Sequence, residues 1–242
     1  MRVAVISDIH GNYHALEAVL NEVNAEVPDE IWCLGDVVGY GPEPNLCCEV
    51  VERAATLCLA GNHDLAIIGA LPLADFNGDA AAAARWTQTV LTEQSLNFLA
   101  PLMPAGTRNG AALFHGSPVD PVWDYVLSED GARASLDMVR SPLIMVGHSH
   151  VALAIAYDGD TLTGGLAHEG DQVDLFASRW LLNPGSVGQP RGGDARAAWM
   201  MLDFDAGRGW FRRTEYPIAL TQAEIRAAGL PEGLAVRLDH GQ

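Results

Sequence analysis

The sequence predicts an α/β layered fold whose second part is richer in hairpins. Short apolar, β-branched segments alternate with helical patterns over roughly the first 150 residues. From residue 151 onward the pattern changes. Segments 151–157, 161–165, 172–176, 179–182, 196–204 and 209–216 read as strands separated by turn signals. Neither a repeat nor a low-complexity linker interrupts the 242 residues, so a single domain over 1–242 is expected. Apolar residues make up 49% and charged residues 19%, which is globular rather than disordered composition.

The elements follow in order. Arg2-Val3-Ala4-Val5-Ile6-Ser7 is short and almost unbroken in apolar character, as a buried strand is, and stops at Asp8-Ile9-His10-Gly11-Asn12. Leu16, Val19, Leu20 and Val23 then share one helical face, and Pro28 closes the region. Ile31 to Leu34 is a second strand, ending in Gly35-Asp36. After a Gly- and Pro-rich loop comes a helix from about Asn45 to Arg53. A third strand, Thr56 to Leu59, ends in Gly61-Asn62-His63-Asp64. Residues 65–78 read as a loop, and 79–99 as one Ala-rich helix. Ala111 to Phe114 is a strand ending in His115, and Leu143 to Val146 one ending in Gly147-His148-Ser149-His150. A helix from about Thr221 to Ala228 precedes a polar tail.

Charge restricts the chemistry. The chain has 31 acidic residues and 14 basic ones, all Arg, for a formal charge of -17. Without Lys there is no Walker-type phosphate loop, no kinase strand Lys and no Schiff base. The acidity argues against nucleic acid and anionic membranes as partners, since both need a basic footprint. No apolar run approaches the roughly 18 residues needed to span a bilayer. Met1 to Ile6 is too short for a signal peptide. Cys33, Cys47, Cys48 and Cys58 form no CxxC pair and read as reduced thiols, so a cytoplasmic protein is expected.

Five strands end in polar clusters: Asp8 and His10, Asp36, Asn62 and His63, His115, and His148 with His150. Side chains at the carboxyl ends of parallel neighbours converge in space. Taken singly, each cluster is an ordinary polar turn. The HxH at 148–150 is stronger, because alternate strand residues aim two imidazoles the same way. Jointly they supply two carboxylates, one amide oxygen and four imidazoles, with a fifth at His63. That donor set suits Mn, Fe, Zn, Ni or Co rather than Ca. It is too large for one tetrahedral zinc and suits two metals roughly 3.5–4 Å apart, with Asp36 as the natural bridge.

In this order the clusters resemble the calcineurin-like metallophosphoesterase superfamily, whose pattern runs DxH, GD, GNH[DE], H, GHxH. Here it stands as Asp8-Ile9-His10, Gly35-Asp36, Gly61-Asn62-His63-Asp64, His115 and Gly147-His148-Ser149-His150. The chain's size and its Asn183-Pro184-Gly185-Ser186-Val187-Gly188-Gln189-Pro190-Arg191 stretch look most like the small bacterial and archaeal, phosphodiesterase-like members. The resemblance implies a four-layer αββα sandwich, two mixed sheets flanked by helices. It implies that Asp8, His10, Asp36 and His150 hold one metal and Asp36, Asn62, His115 and His148 the other, manganese being the expected ion. The implied activity is hydrolysis of small phosphodiesters or phosphomonoesters, by in-line attack of a hydroxide bridging two divalent cations. His63 takes the role of proton donor to the leaving group, or of hydrogen-bond donor to the phosphate. One departure is clear. The GDxxDRG of the superfamily's protein phosphatases and symmetrical tetraphosphatases is Gly35-Asp36-Val37-Val38-Gly39-Tyr40-Gly41 here, without its bracing Asp and phosphate-gripping Arg. Asp64 is the candidate replacement brace for His63. Arg191 and Tyr40 are the candidate substrate contacts, Arg191 being equally readable as a solvated loop residue. Trp123 and Tyr125 read either as base-stacking side chains or, preferentially, as core aromatics. A scaffold module of the same fold and a metal-dependent nuclease are the competing functions.

Overall fold

The computed structural model describes residues 1–242 as two face-to-face sheets with helices outside. In chain order the elements are β1 (Arg2–Ile6), α1 (Tyr13–Ala25), β2 (Glu30–Cys33), α2 (Pro44–Ala54), β3 (Leu57–Cys58), α3 (Asn62–Ile67), α4 (Gly78–Val90) and α5 (Glu93–Leu99). Then come β4 (Ala105–Arg108), β5 (Ala111–Phe114), α6 (Glu129–Met138), β6 (Leu143–Met145), β7 (Leu153–Tyr157), β8 (Leu162–Leu166), β9 (Gln172–Asp174) and β10 (Arg179–Asn183). The chain closes with β11 (Ala197–Asp203), β12 (Arg208–Thr214), α7 (Ile218–Ala227) and α8 (Glu232–Val236).

One sheet has the order β3-β2-β1-β11-β12-β9 and the other β4-β5-β6-β10-β7-β8. Both are mixed. β1 runs parallel to β2 and antiparallel to β11, and β10 runs parallel to β6 and antiparallel to β7. Strand alternation distributes the core. Val3 and Val5 point into a layer between the sheets with Trp32, Leu34, Leu113, Met145, Leu182 and Met200. Ala4 and Ile6 point the other way, onto Leu16, Val19, Cys47 and Val51 of α1 and α2. On the far sheet, Ile144 and Leu181 pack against Ala132 and Leu136 of α6. This is the α/β layering the sequence pattern predicts, in the four-layer form the superfamily resemblance implies.

Three local expectations are corrected, and one strand is unanticipated. Asn62 opens the short helix α3 instead of closing a strand, so 65–78 is not wholly loop. The Ala-rich stretch is two helices, because Leu91 is extended and the Thr92 side chain caps α5 on the Ser95 amide. β4, an edge strand of sequence AGTR, carries no apolar pattern by which to find it. The tail is not simply polar. Leu230, Leu234 and Leu238 bury themselves against Ala80 and Ala83 of α4 and bring the last residues back onto the sandwich.

Candidate metal centre

The polar clusters all sit just past strand ends. Asp8 and His10 follow β1, Asp36 follows β2, and Asn62 and His63 follow β3, three parallel neighbours in one sheet. His115 follows β5, and His148 and His150 follow β6, parallel neighbours in the other sheet. Convergence therefore takes place across the sandwich, not along one sheet. Local backbone makes it sharp. Asp8, His10, Asp36, His148 and His150 all have left-handed φ of 52–61°, as does Tyr40 at 57°. Side-chain-bearing residues seldom adopt this region, and clustering of such strain marks a functional site. It also corrects the reading of the HxH pair, which lies beyond β6 and is aimed by turns rather than by strand alternation. Gly61 is required for a different reason: a methyl there would overlap the Asp36 carboxylate.

The donor atoms lie close together. His10 Nε2 is 2.9 Å from His150 Nε2 and 3.4 Å from Asp36 Oδ2. His150 Nε2 is 3.5 Å from Asp8 Oδ1. His115 Nε2 is 3.5 Å from the same Asp36 Oδ2 and 3.2 Å from Asn62 Oδ1. The opposite ring nitrogens are anchored on carbonyls: His10 Nδ1 on Val38 at 3.2 Å, His115 Nδ1 on Leu34 at 2.9 Å and His150 Nδ1 on Gln189 at 2.7 Å. Such anchoring orients each Nε2 and sets its tautomer, as for metal-binding histidines. Two groups of ligand atoms result, Asp8-His10-Asp36-His150 and Asp36-His115-His148, and Asp36 belongs to both.

Burial dominates the electrostatics. It pushes the Asp8 carboxyl up to about 7 and raises Asp36 well above the usual carboxylate range. It drives His10 and His150 down and takes His148 down to about 2, so these imidazoles present lone pairs. Asp8 Oδ2, Asp36 Oδ2 and His148 Nε2 are buried with no hydrogen-bond partner. Unpartnered acceptors of this kind are costly unless a cation satisfies them. The residues fit divalent transition-metal ions on these grounds, and a bound cation would reverse the carboxylate shifts.

The remaining candidates divide. His63 is buried, its Nδ1 has no partner, and burial takes its ring down to about 3. It packs against Tyr40 and His10 at ring-centroid distances of 4.4 and 4.9 Å. Asp64 does not brace that ring. Its two oxygens accept the backbone N–H groups of Gly61 (2.9 Å) and Val38 (3.1 Å), capping α3 and tying it to the Asp36 loop. Tyr40 is buried beside His10 and His63. Arg191 donates to Gln189 Oε1 at 3.0 Å, and its backbone N–H donates to the His150 carbonyl. Preference for a core role fails for Trp123 and Tyr125. Tyr125 is 46% exposed and stacks on His148 at 3.9 Å, while Trp123 packs on Phe76, which meets His63 edge-on. Sequence reasoning missed Phe76 and Gln189. The Ser186 hydroxyl caps its own turn, accepting the Gln189 N–H, and donates to the Asp8 carbonyl. His14 pairs with Glu224 at 3.0 Å. His168 and His240 are exposed.

The sequence model of the calcineurin-like phosphoesterase superfamily domain matches residues 1–207. The chain belongs to that superfamily. It is a hydrolase of the phosphoesterase type, from a family that uses divalent metal ions. Over 99% of its length it is 37% identical to the uncharacterized protein MJ0912 of Methanocaldococcus jannaschii, covering 98% of that protein. The metallophosphoesterase of Sphaerobacter thermophilus superposes with a TM-score of 0.91 at 41% identity, over 100% of this chain and 99% of that one. The symmetrical bis(5'-nucleosyl)-tetraphosphatase of Proteus mirabilis is 27% identical over 138 residues, 55% of this chain and 50% of that protein. The chain thus spans about half the length of that relative. No helix is long and apolar enough to cross a membrane.

Proposed function

We propose that the protein is a dinuclear metal-dependent phosphoesterase acting on small phosphodiesters or phosphomonoesters, with residues 1–242 working as one domain. The observation that carries this is the sharing of Asp36 between two buried ligand groups. In this reading Asp8, His10, Asp36 and His150 hold one ion, and Asp36, Asn62, His115 and His148 the other, with Mn the expected metal. Two such ions supply a Lewis acid for the phosphoryl oxygens and an activated water for in-line attack. The chain's own groups do the rest. The carbonyls of Val38, Leu34 and Gln189 hold the imidazoles in register. The Asp36 Oδ1 accepts the His63 N–H at 2.9 Å, which ties the His63 turn to the bridging residue. His63 stands beside the ligands and is held neutral by burial, which supports a neutral hydrogen-bond donor to the phosphate or leaving oxygen over a permanent imidazolium. Arg191 and Tyr40 border the same space and are proposed substrate contacts. The four free thiols and the apolar layers suit a cytoplasmic enzyme.

The test loads the metal-stripped protein with Mn²⁺ and counts ions per chain by mass spectrometry. It then assays bis-p-nitrophenyl phosphate, p-nitrophenyl phosphate, a bis(5'-nucleosyl) tetraphosphate and a short oligonucleotide. Two ions per chain and Mn²⁺-stimulated release of p-nitrophenol are expected. A protein that binds two ions and turns over no ester is a scaffold module, and preference for the oligonucleotide makes it a nuclease.

A further inference from the structure

The last helical turns bring a second guanidinium to Gln189, the residue that anchors His150. Arg237 lies in the short 3-10 turn Arg237–Asp239, beyond the superfamily match at 1–207. Leu234 and Leu238, buried on either side of it, pin that turn against α4 and Tyr40. Its Nη1 donates to Gln189 Oε1 at 3.2 Å, and Arg191 Nη2 donates to the same oxygen at 3.0 Å. Gln189 itself is 2% exposed, and its backbone carbonyl anchors His150. One buried residue therefore holds a metal-ligand imidazole on one side and two guanidinium groups on the other. Neither guanidinium forms an ion pair, as seven of the other twelve arginines do. The Tyr40 ring, packed in one cluster with Leu234 and Leu238, lies against His10 and His63. Two like charges gathered on one neutral acceptor repel each other at this range, and an anion between them converts that repulsion into attraction.

We infer that Arg191 and Arg237 form an anion clamp beside the metal centre. The clamp receives a second phosphate of the substrate while the scissile one sits on the ligand groups. The substrate class is then a phosphate ester or anhydride carrying at least two phosphates, such as a nucleoside diphosphate or polyphosphate. The clamp takes over the phosphate-gripping duty of the Arg missing after Gly35-Asp36. This inference rests on the phosphoesterase reading of the centre.

The experiment compares wild type, Arg237→Gln and Arg237→Lys, all Mn²⁺-loaded. ADP affinity is measured by titration calorimetry, and the ratio of kcat/KM for ADP to that for bis-p-nitrophenyl phosphate is measured in parallel. In Arg237→Gln, ADP affinity and the ratio are both expected to fall roughly 10- to 100-fold, the scale of one charge-assisted hydrogen bond. Arg237→Lys, which keeps charge and stem but loses the planar fork, is expected to fall in between. Equal ADP affinity in wild type and Arg237→Gln overturns the clamp, as does an unchanged ratio. A wild type that binds ADP through Arg237 yet hydrolyses nothing leaves the clamp standing and removes the phosphoesterase reading instead.

Discussion

The two sheets contribute unequally to the centre. The sheet built on β1, β2 and β3 supplies both carboxylates, Asp8 and Asp36, the Asn62 amide and the imidazoles of His10 and His63. The other supplies imidazoles only: His115, His148 and His150. All the formal negative charge thus stands on one side and faces neutral donors on the other. Hydrogen bonds already join the halves. The His148 N–H donates to Asp8 Oδ1 at 3.2 Å, and His115 reaches across to the Leu34 carbonyl. What these bonds leave unsatisfied is the second oxygen of each carboxylate. One sheet thus carries the electrostatic cost and the other carries neutral donors, an arrangement a cation between them would reconcile.

The largest effect is expected of Asp36→Ala, which removes a donor from both groups. Metal content is expected to drop below one ion per chain, and turnover to fall by roughly 10⁴-fold or more. Retention of two ions in the variant disproves the shared position. His63→Ala comes next. It removes no ligand, so two ions are expected by mass spectrometry while kcat falls roughly 10²–10⁴-fold. Unchanged turnover at saturating metal sinks the donor role.

Asp64→Ala probes the scaffold under the carboxylate side. It strands the buried N–H groups of Gly61 and Val38, so denaturant unfolding should show a loss of about 2–4 kcal/mol. A loss of activity at full stability would instead return Asp64 to the chemistry. The last effect is a pH slope. In the metal-free protein Asp8 titrates near 7 when folded, above its ordinary 3.8. The folded state therefore holds the proton more tightly, and this group's contribution to stability is present below about pH 4 and lost as pH rises through 7. Thermal melts of metal-free protein should show the wild-type midpoint falling relative to that of Asp8→Asn over that window, the buried imidazoles giving both proteins the same opposing slope, and saturating Mn²⁺ should flatten that relative fall. An identical slope with and without metal argues against cation binding at Asp8.

Much of the centre was legible because its signals are local. Ligand chemistry, the turn residues after each strand and the strands themselves are written within a few neighbouring positions. Asp64 shows the limit of that reading. The missing GDxxDRG Asp made it the candidate ring brace, yet a carboxylate three residues after Gly61, at the start of a helix, folds back on the backbone as a cap. The G-x-x-D spacing held that answer, and it was the helix itself that went unrecognised. Tyr125 and Trp123 were misjudged for another reason. An aromatic at a cleft mouth and one in a core share the same hydrophobicity, and only the surrounding elements decide which it becomes.

By itself the sequence determined the α/β alternation, the inventory of donors and the order in which they arrive, since backbone propensity and ligand type are properties of short segments. Tertiary structure alone decided which donors meet. His10 and His150 are 140 residues apart yet stand 2.9 Å apart across the sandwich, and Arg237 reaches Gln189 over 48 positions. Those contacts depend on two sheets closing over one apolar layer and on a C-terminal Leu stripe docking on α4. Burial of this kind is a property of the whole chain, and so are the raised carboxylates and neutral imidazoles that follow from it.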